Sequence, residues 1–454
     1  FGKGEVLFGS AKFGKGEVSF KRAKFREGEV SFGRTEFGEG EVSFEEAEFG
    51  EGAVSFDSAT VAAPLSFLDT RFDIESTVAL PDAEFRDDVT FGSRDDESVT
   101  YEHSLDFSGA TFRRTLEFRS GTDSTTGAEQ SDSGEPQFDF VFAGDVDFSD
   151  VTFPDGVDFS TTRFPPDADF TGATLEDADF SDADVTGTDD FSTASFDGAN
   201  LTGANFSRAE LAGASFERAQ LSRAELLGTN FAGAKLYGAL LGNARINRRT
   251  EFWLAEDDTR RKPDGWPGAV RALRRVKMAF REREPYCPYD PRYRGSDSEP
   301  NLEKAGEVYA TLENLARDNS LPGLASECFL GRKDAQLREY RRDGNAGMIV
   351  RSFVPNLVAR YGESPTRVLG TGAVTVLACG LVYNVFDLVE HADSGDAVTL
   401  FEALYFSALT FTTLGYGDFN PANELGQVLA VTETSIGVVL LAILVFVFGR
   451  RATR

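Results

Sequence analysis

The chain has 454 residues, 75 acidic against 46 basic, and a formal charge of −29, so several domains are expected and no nucleic-acid partner is. Its only two histidines, His103 and His391, give little support to histidine-based catalysis. Cys287, Cys328 and Cys379 are isolated and form neither a disulfide framework nor a zinc spacing; no nucleophile, base and oxyanion donors cluster, so neither an enzyme nor a cofactor is expected.

From Phe1 to Phe56 the sequence repeats every twelve residues. Phe1, Phe13, Phe25, Phe37 and Phe49 share one register, Phe8, Phe20, Phe32, Phe44 and Phe56 a second, and Val6, Val18, Val30, Val42 and Val54 a third, with turn glycines at 4, 16, 28, 40 and 52. Such self-similarity reads as stacked coils that bury an apolar face only against their neighbours. The pattern loosens from Ala59 onward while still returning phenylalanine, as at Phe107 and Phe112. We therefore delimit residues 1–119 as twelve-residue and degenerate pentapeptide-type repeats. Residues 120–137, rich in Ser, Thr, Gly and Asp, read as a flexible acidic and polar insertion.

Over residues 138–247 a five-residue period emerges. Phe196, Leu201, Phe206, Leu211, Phe216, Leu221, Leu226, Phe231, Leu236, Leu241 and Ile246 fall at every fifth position, and a small residue sits two before each, from Ala194 to Ala244. Two positions apart on an extended backbone share a side, so each pentad turns one large and one small residue inward and then takes a corner. This pattern resembles the pentapeptide-repeat family, which implies a right-handed quadrilateral β-helix with about four pentads per coil. The resemblance fixes fold rather than function, since relatives include DNA-mimicking gyrase inhibitors as well as proteins without an assigned activity.

Residues 248–301 read as a basic helix and a proline-containing linker. Val270, Leu273, Val276 and Phe280 recur at helical spacing with Arg271, Arg274, Arg275, Lys277 and Arg281 between them. Such a helix could lie on anionic lipid, on the acidic repeats, or simply bury its apolar stripe. Residues 302–362 read as a cytoplasmic helical hairpin and a pre-membrane amphipathic helix. The hairpin, with a turn at Leu321-Pro322-Gly323, is expected to be an adaptor or self-association element. The second part presents Ile349, Val350, Phe353, Val354, Leu357 and Val358 at the membrane, with a kink expected at Pro355.

Residues 366–454 carry the two long apolar runs, Val368 to Val389 and Gly426 to Phe448, each roughly 33–34 Å as a helix at about 1.5 Å per residue and so able to span a bilayer. No cleavable signal is visible, so the first run is expected to act as the insertion signal. Arg360 and Arg367 precede the first run and Arg450, Arg451 and Arg454 follow the second. The loop between holds Glu390, Asp393, Asp396, Glu402 and Asp418 and no Lys or Arg, which places both termini in the cytoplasm of a multi-pass plasma-membrane protein. Thr399 to Phe411 reads as a short helix opened by a Thr-x-x-Glu capping box, Thr399 with Glu402. Its C-terminal end would aim partial negative charge at the stretch that follows.

That stretch is Thr412-Thr413-Leu414-Gly415-Tyr416-Gly417-Asp418. Its alternating glycines let successive carbonyls face one side, and a row of carbonyl oxygens can replace the water around a monovalent cation. It resembles the signature filter of potassium channels, the standard example of carbonyl selectivity, and the flanking runs resemble a two-transmembrane pore domain. The resemblance implies an all-α transmembrane pore, a homotetramer in the lipid bilayer, and potassium held by Thr413, Leu414, Gly415, Tyr416 and Gly417 with Thr412, Asp418 and Glu433 in support. Leu409 stands where many relatives have a glutamate, which puts filter gating through a carboxyl pair with Asp418 in doubt. Leu414 replaces the commoner valine and is expected to pack behind the filter. Gly437, nineteen positions after Asp418, matches the hinge glycine of the inner helix, with close helix packing as the alternative. Glu433 lies within a span and is expected to face protein, bonded to the pore helix through Thr410, or to be protonated.

Together these readings describe a potassium-selective channel, passive and tetrameric, whose repeat region regulates it or binds a cytoplasmic protein partner. The alternative is a membrane-tethered repeat protein, DNA mimic or scaffold, with a vestigial pore. The acidic balance, spread over repeats, linker and loop alike, fits a halophilic protein of haloarchaeal type, with a functional acidic surface that mimics nucleic acid as the alternative. At molar salt dense carboxylates keep a surface hydrated and their repulsion is screened within about 3 Å.

Overall fold

The computed structural model describes residues 4–95, 99–120, 138–154, 156–186, 193–253, 286–293, 300–393 and 396–452, arranged as two compact units, Phe1–Ala335 and Gln336–Arg454. The basic stretch from Trp266 to Glu282 and nearly all of the polar insertion lie outside the described residues.

The first unit is a β-solenoid whose short strands stack in parallel columns on four faces. Val6 pairs with Val30, Val30 with Val54, Val54 with Val78, Val78 with Leu105 and Leu105 with Val146. The same column continues from Asp147 through Asp169, Ser195, Ser215 and Lys235. The twelve-residue repeats and the pentads are therefore one continuous fold, a relation their different periods conceal. In the first part, side chains that meet between coils are 24 residues apart, as Lys12 and Glu36 are, so two twelve-residue repeats make one coil. In the strict part the separation is 20, as for Asn230 and Glu210, which is four pentads.

The interior is built of phenylalanine ladders. Phe8 stacks on Phe32 at 5.0 Å and Phe32 on Phe56 at 4.8 Å, while further along Phe170 stacks on Phe196 and Phe196 on Phe216, both at 4.7 Å. Each such pair adds about 0.5–1.5 kcal/mol beyond the burial of its rings. The small residue of each pentad, such as Ala194, Ala199 or Ala204, is fully buried beside the large one. The corners explain part of the acidity. Asp147, Asp169, Asp179 and Asn205 each accept a hydrogen bond from the main-chain N–H two residues on, at 2.8–3.0 Å. Aspartate and asparagine favour such turns because a short side chain can replace a main-chain partner there.

After the last pentads the coil stops and helices take over. Helix α1 (Leu302–Asp318) is capped by Asn301 and buries Ala305, Val308, Tyr309, Leu312 and Leu315 in the same core as the solenoid. Just past it, Asn319 accepts from the Ile246 N–H at 3.0 Å and donates to the Ala244 carbonyl at 2.8 Å. The segment expected to be a linker contributes too: Tyr289 is fully buried and donates to Glu217 at 2.7 Å. Helix α2 (Pro322–Arg342) begins at a proline, whose missing N–H is harmless in a first turn, and the chain reverses at Ser320 with φ +56°. The hairpin read as an adaptor thus begins by closing the end of the solenoid, covering strand edges that would otherwise template pairing.

The second unit holds helices α3 (Ala346–Ala359), α4 (Pro365–Val385), α5 (Leu400–Phe411) and α6 (Glu424–Ala452). Pro355 lies inside α3, and the helical geometry breaks further on, at Arg360 and Tyr361 with φ +47° and +57°. Arg367 then donates to the Asn356 carbonyl at 3.1 Å, tying α4 back to α3. Helix α4 ends at Val385, earlier than the apolar run. The last residue of that run, Val389, instead opens a strand, Val389–His391, paired antiparallel with Phe419–Pro421.

Candidate functional site

Helix α5 forms where the capping box placed it. The Thr399 side chain accepts from the Glu402 N–H, and the Glu402 carboxylate accepts from the Thr399 N–H at 2.8 Å. Its far end is closed by Thr412, whose N–H and hydroxyl both reach the Ala408 carbonyl, at 3.1 and 2.7 Å. Helices α4 and α6 flank it and are the two helices, among the described residues, long and apolar enough to cross a membrane, Pro365–Val385 and Glu424–Gly449.

The loop from Thr413 to Gly417 leaves α5 with every second residue in the left-handed region. Backbone φ is +59° at Thr413, +43° at Gly415 and +84° at Gly417, with Leu414 and Tyr416 outside that region. Alternation of left-handed with ordinary conformations turns successive carbonyls toward one side of the strand, which a uniformly extended strand does not do. Glycine adopts these angles freely, whereas a β-branched Thr413 held there costs roughly 1–2 kcal/mol. Sequence reasoning singled out the glycines and missed that Thr413 joins them; its position two before Gly415 is the signal.

The single chain does not enclose this loop. Leu414 is 60% and Tyr416 66% exposed, so the packing expected behind the filter is not supplied by the same polypeptide. The end of the loop is anchored instead: the Asp418 carbonyl accepts from the Ala392 N–H at 3.0 Å, in line with the Val389–His391 and Phe419–Pro421 pairing. On that ribbon His391 Nε2 stands 3.6 Å from Glu402 of the capping box.

Glu433, near the middle of α6, is completely buried. It bonds to α5, as expected of it, through Ser407 rather than Thr410, and it accepts from the Tyr383 hydroxyl of α4 at 2.9 Å. Thr410 offers its carbonyl to Thr434 at 3.4 Å instead. Ser407 and Tyr383 were legible as polar groups set in apolar helices, where such groups are expensive unless paired. At Gly437 a Cβ would strike the Phe411 carbonyl, so the missing side chain lets the backbones of α6 and α5 meet, and α6 passes this point without a break. Close packing is thus one reason for glycine there.

Residues 372–454 match the family model described as an ion channel. Models of pentapeptide repeats match residues 138–184, 190–226 and 209–248. Among curated proteins, the probable potassium channel protein 2 of Methanocaldococcus jannaschii is 47% identical over 65 residues, which are 14% of this chain and 18% of that one. The chain thus spans less than a fifth of the length of that relative. Among solved structures, a pentapeptide repeat protein of Nostoc is 34% identical, covering 22% of this chain and 77% of its own with a TM-score of 0.20. HetL, a pentapeptide repeat protein of Nostoc involved in heterocyst differentiation regulation, is 19% identical, covering 54% and 89% with a TM-score of 0.18.

Proposed function

We propose that this chain, an ion-channel domain joined to pentapeptide repeats, assembles as a homotetramer that conducts potassium ions passively across the cell membrane. The observation that carries the proposal is the alternating backbone of Thr413, Gly415 and Gly417 at the C-terminal end of α5, with membrane-length helices on either side. One strand of carbonyls is too few ligands for a dehydrated ion, and the exposed Leu414 and Tyr416 leave side-chain surface for neighbouring copies to cover. Carbonyl dipoles carry only partial charge, so they compensate the lost hydration of potassium without trapping it. Helix α5 ends at the filter, where its dipole favours a cation.

Potassium would pass through the carbonyls of Thr413, Leu414, Gly415, Tyr416 and Gly417, with Thr412 and Asp418 holding the two ends of the loop. The acidic residues of the loops between the spans would concentrate cations at the outer mouth, and the arginines beyond each span would keep both termini in the cytoplasm. Bending of α6 at Gly437 would open the inner end. The solenoid would then lie in the cytoplasm as a regulatory or partner-binding module. The test is flux into proteoliposomes. The parent is expected to take up potassium in strong preference to sodium, and Gly415→Ala, which sets a Cβ at φ +43°, to reduce uptake to background. Equal permeation by sodium refutes the filter assignment.

A further inference from the structure

Ser407 has a single hydroxyl proton and stands within hydrogen-bond reach of two oxygens. One is the Val376 carbonyl of α4, at 2.9 Å, and the other is Glu433 Oε1 of α6. A main-chain carbonyl can only accept, and an ionised carboxylate can only accept. One proton therefore leaves one of these two contacts as a pair of facing lone pairs, unless a second proton is present. The carboxyl group is the only place for it. Its other oxygen, Oε2, already accepts from Tyr383 at 2.9 Å, and the Cys379 side chain faces the same carboxyl group.

We propose that Glu433 is a neutral carboxylic acid that donates its proton to Ser407, making it a positioning residue that locks α5 against both spans. The proposal rests on α5 being the pore helix. The groups that face Glu433 are Cys379 and Tyr383 from α4 and Ser407 from α5, and none of them is basic. The other charged side chains described on the three helices sit near helix starts: Arg367 on α4, Glu402 on α5 and Glu424 on α6. Among the described residues no counter-charge faces this completely buried carboxylate, and burying an unpaired charge is far more costly than burying a hydrogen-bonded acid. In the neutral form the chain Tyr383 to Glu433 to Ser407 to Val376 runs in one direction, each group donating to the next, so that all three helices are joined. The end of α5 carries the filter, so this chain fixes where the carbonyl row begins.

The test compares the full chain with Glu433→Gln and Glu433→Ala in liposomes. A glutamine amide donates to Ser407 and accepts from Tyr383 as the neutral acid does, so Glu433→Gln is expected to keep the potassium-to-sodium flux ratio within about twofold of the parent. Glu433→Ala breaks the chain and is expected to lower that ratio by about tenfold or more. Infrared difference spectra of the parent against Glu433→Gln are expected to show the carbonyl stretch of a protonated carboxyl in the parent alone. Absence of that band, or a Glu433→Gln channel no better than Glu433→Ala, overturns the proposal. A parent that passes both ions equally refutes the function assigned to the pore, and the infrared band then decides the protonation by itself.

Discussion

In the solenoid a large inward residue finds all its neighbours within the chain: Phe196 is fully buried, with Phe170 and Phe216 stacked on its two faces at 4.7 Å. In the second unit Leu414 and Tyr416, at the centre of the best-defined motif, are 60% and 66% exposed, and Val374, Val385, Val431 and Val445 on the two long helices are also exposed. The second unit has small buried clusters around Tyr383 and Phe411, whereas the solenoid core runs without a break from coil to coil. A solenoid coil buries itself against the coil before and after it, so one polypeptide with enough coils and a covered end is sufficient. The second unit leaves apolar side chains outward on both long helices, which the proposed assembly in a bilayer would cover.

The sharpest way to break this contrast is to truncate the same kind of contact in each unit. Phe196→Ala should destabilise the solenoid by about 3–5 kcal/mol, read as a lower midpoint of the strand signal in chemical or thermal unfolding. A small shift would mean that the coils slide to fill the gap and that the ladders do not hold the rod.

Acid should act on the solenoid through His103, which is buried against Phe72 and Tyr101 with its Nε2 unpartnered among the described residues. Burial lowers its pKa from the ordinary 6.5 to about 4. The unfolded chain therefore binds a proton below about pH 6.5 that the folded chain refuses until about pH 4. Stability from this group is complete above that window and declines as the pH falls through it, by about 3 kcal/mol in all. His103→Leu should flatten the acid limb of the solenoid's unfolding curve between those values; an unchanged limb would assign acid sensitivity to the carboxylates alone.

Per chain, the smallest expected effect is on the pore side. Leu414→Ala should leave solenoid unfolding untouched, since Leu414 belongs to the other unit and is 60% exposed on its own chain, and should weaken the proposed tetramer by about 1–2 kcal/mol for each leucine that assembly buries. The measurement is the temperature at which tetramers fall to monomers in detergent. No change there would mean that Leu414 faces open space after assembly, contrary to the four-copy filter.

Much of this was written in local pattern. The pentads announced coils with a corner in every unit because a period of five places two inward residues and a turn in each, while the number of sides came from the resemblance to the pentapeptide-repeat family; the Thr399 and Glu402 pair announced the start of α5 because capping depends on neighbours three residues apart. The pore motif could be read as letters because its chemistry is carried by the main chain, and glycine is the residue that frees the main chain. The sequence also misled where local reading was all it offered. The Leu302–Asp318 helix reads locally as part of an adaptor or self-association hairpin, whereas the structure sets its end against the solenoid's last coil; the apolar run through Val389 reads as helical to its end, whereas Val389 pairs with Pro421.

What the sequence determined by itself was periodicity: a repeat architecture, two apolar helices and a short helix ending at alternating glycines. Only the tertiary structure decided that the two kinds of repeat form one rod, that a helix closes its end, and that Glu433 meets Ser407 and Tyr383. The physical reason is range. Turns, caps and face alternation are set by residues within a coil or a helical turn, whereas the partner of a buried carboxyl lies 26 or 50 residues away and is chosen by how helices cross.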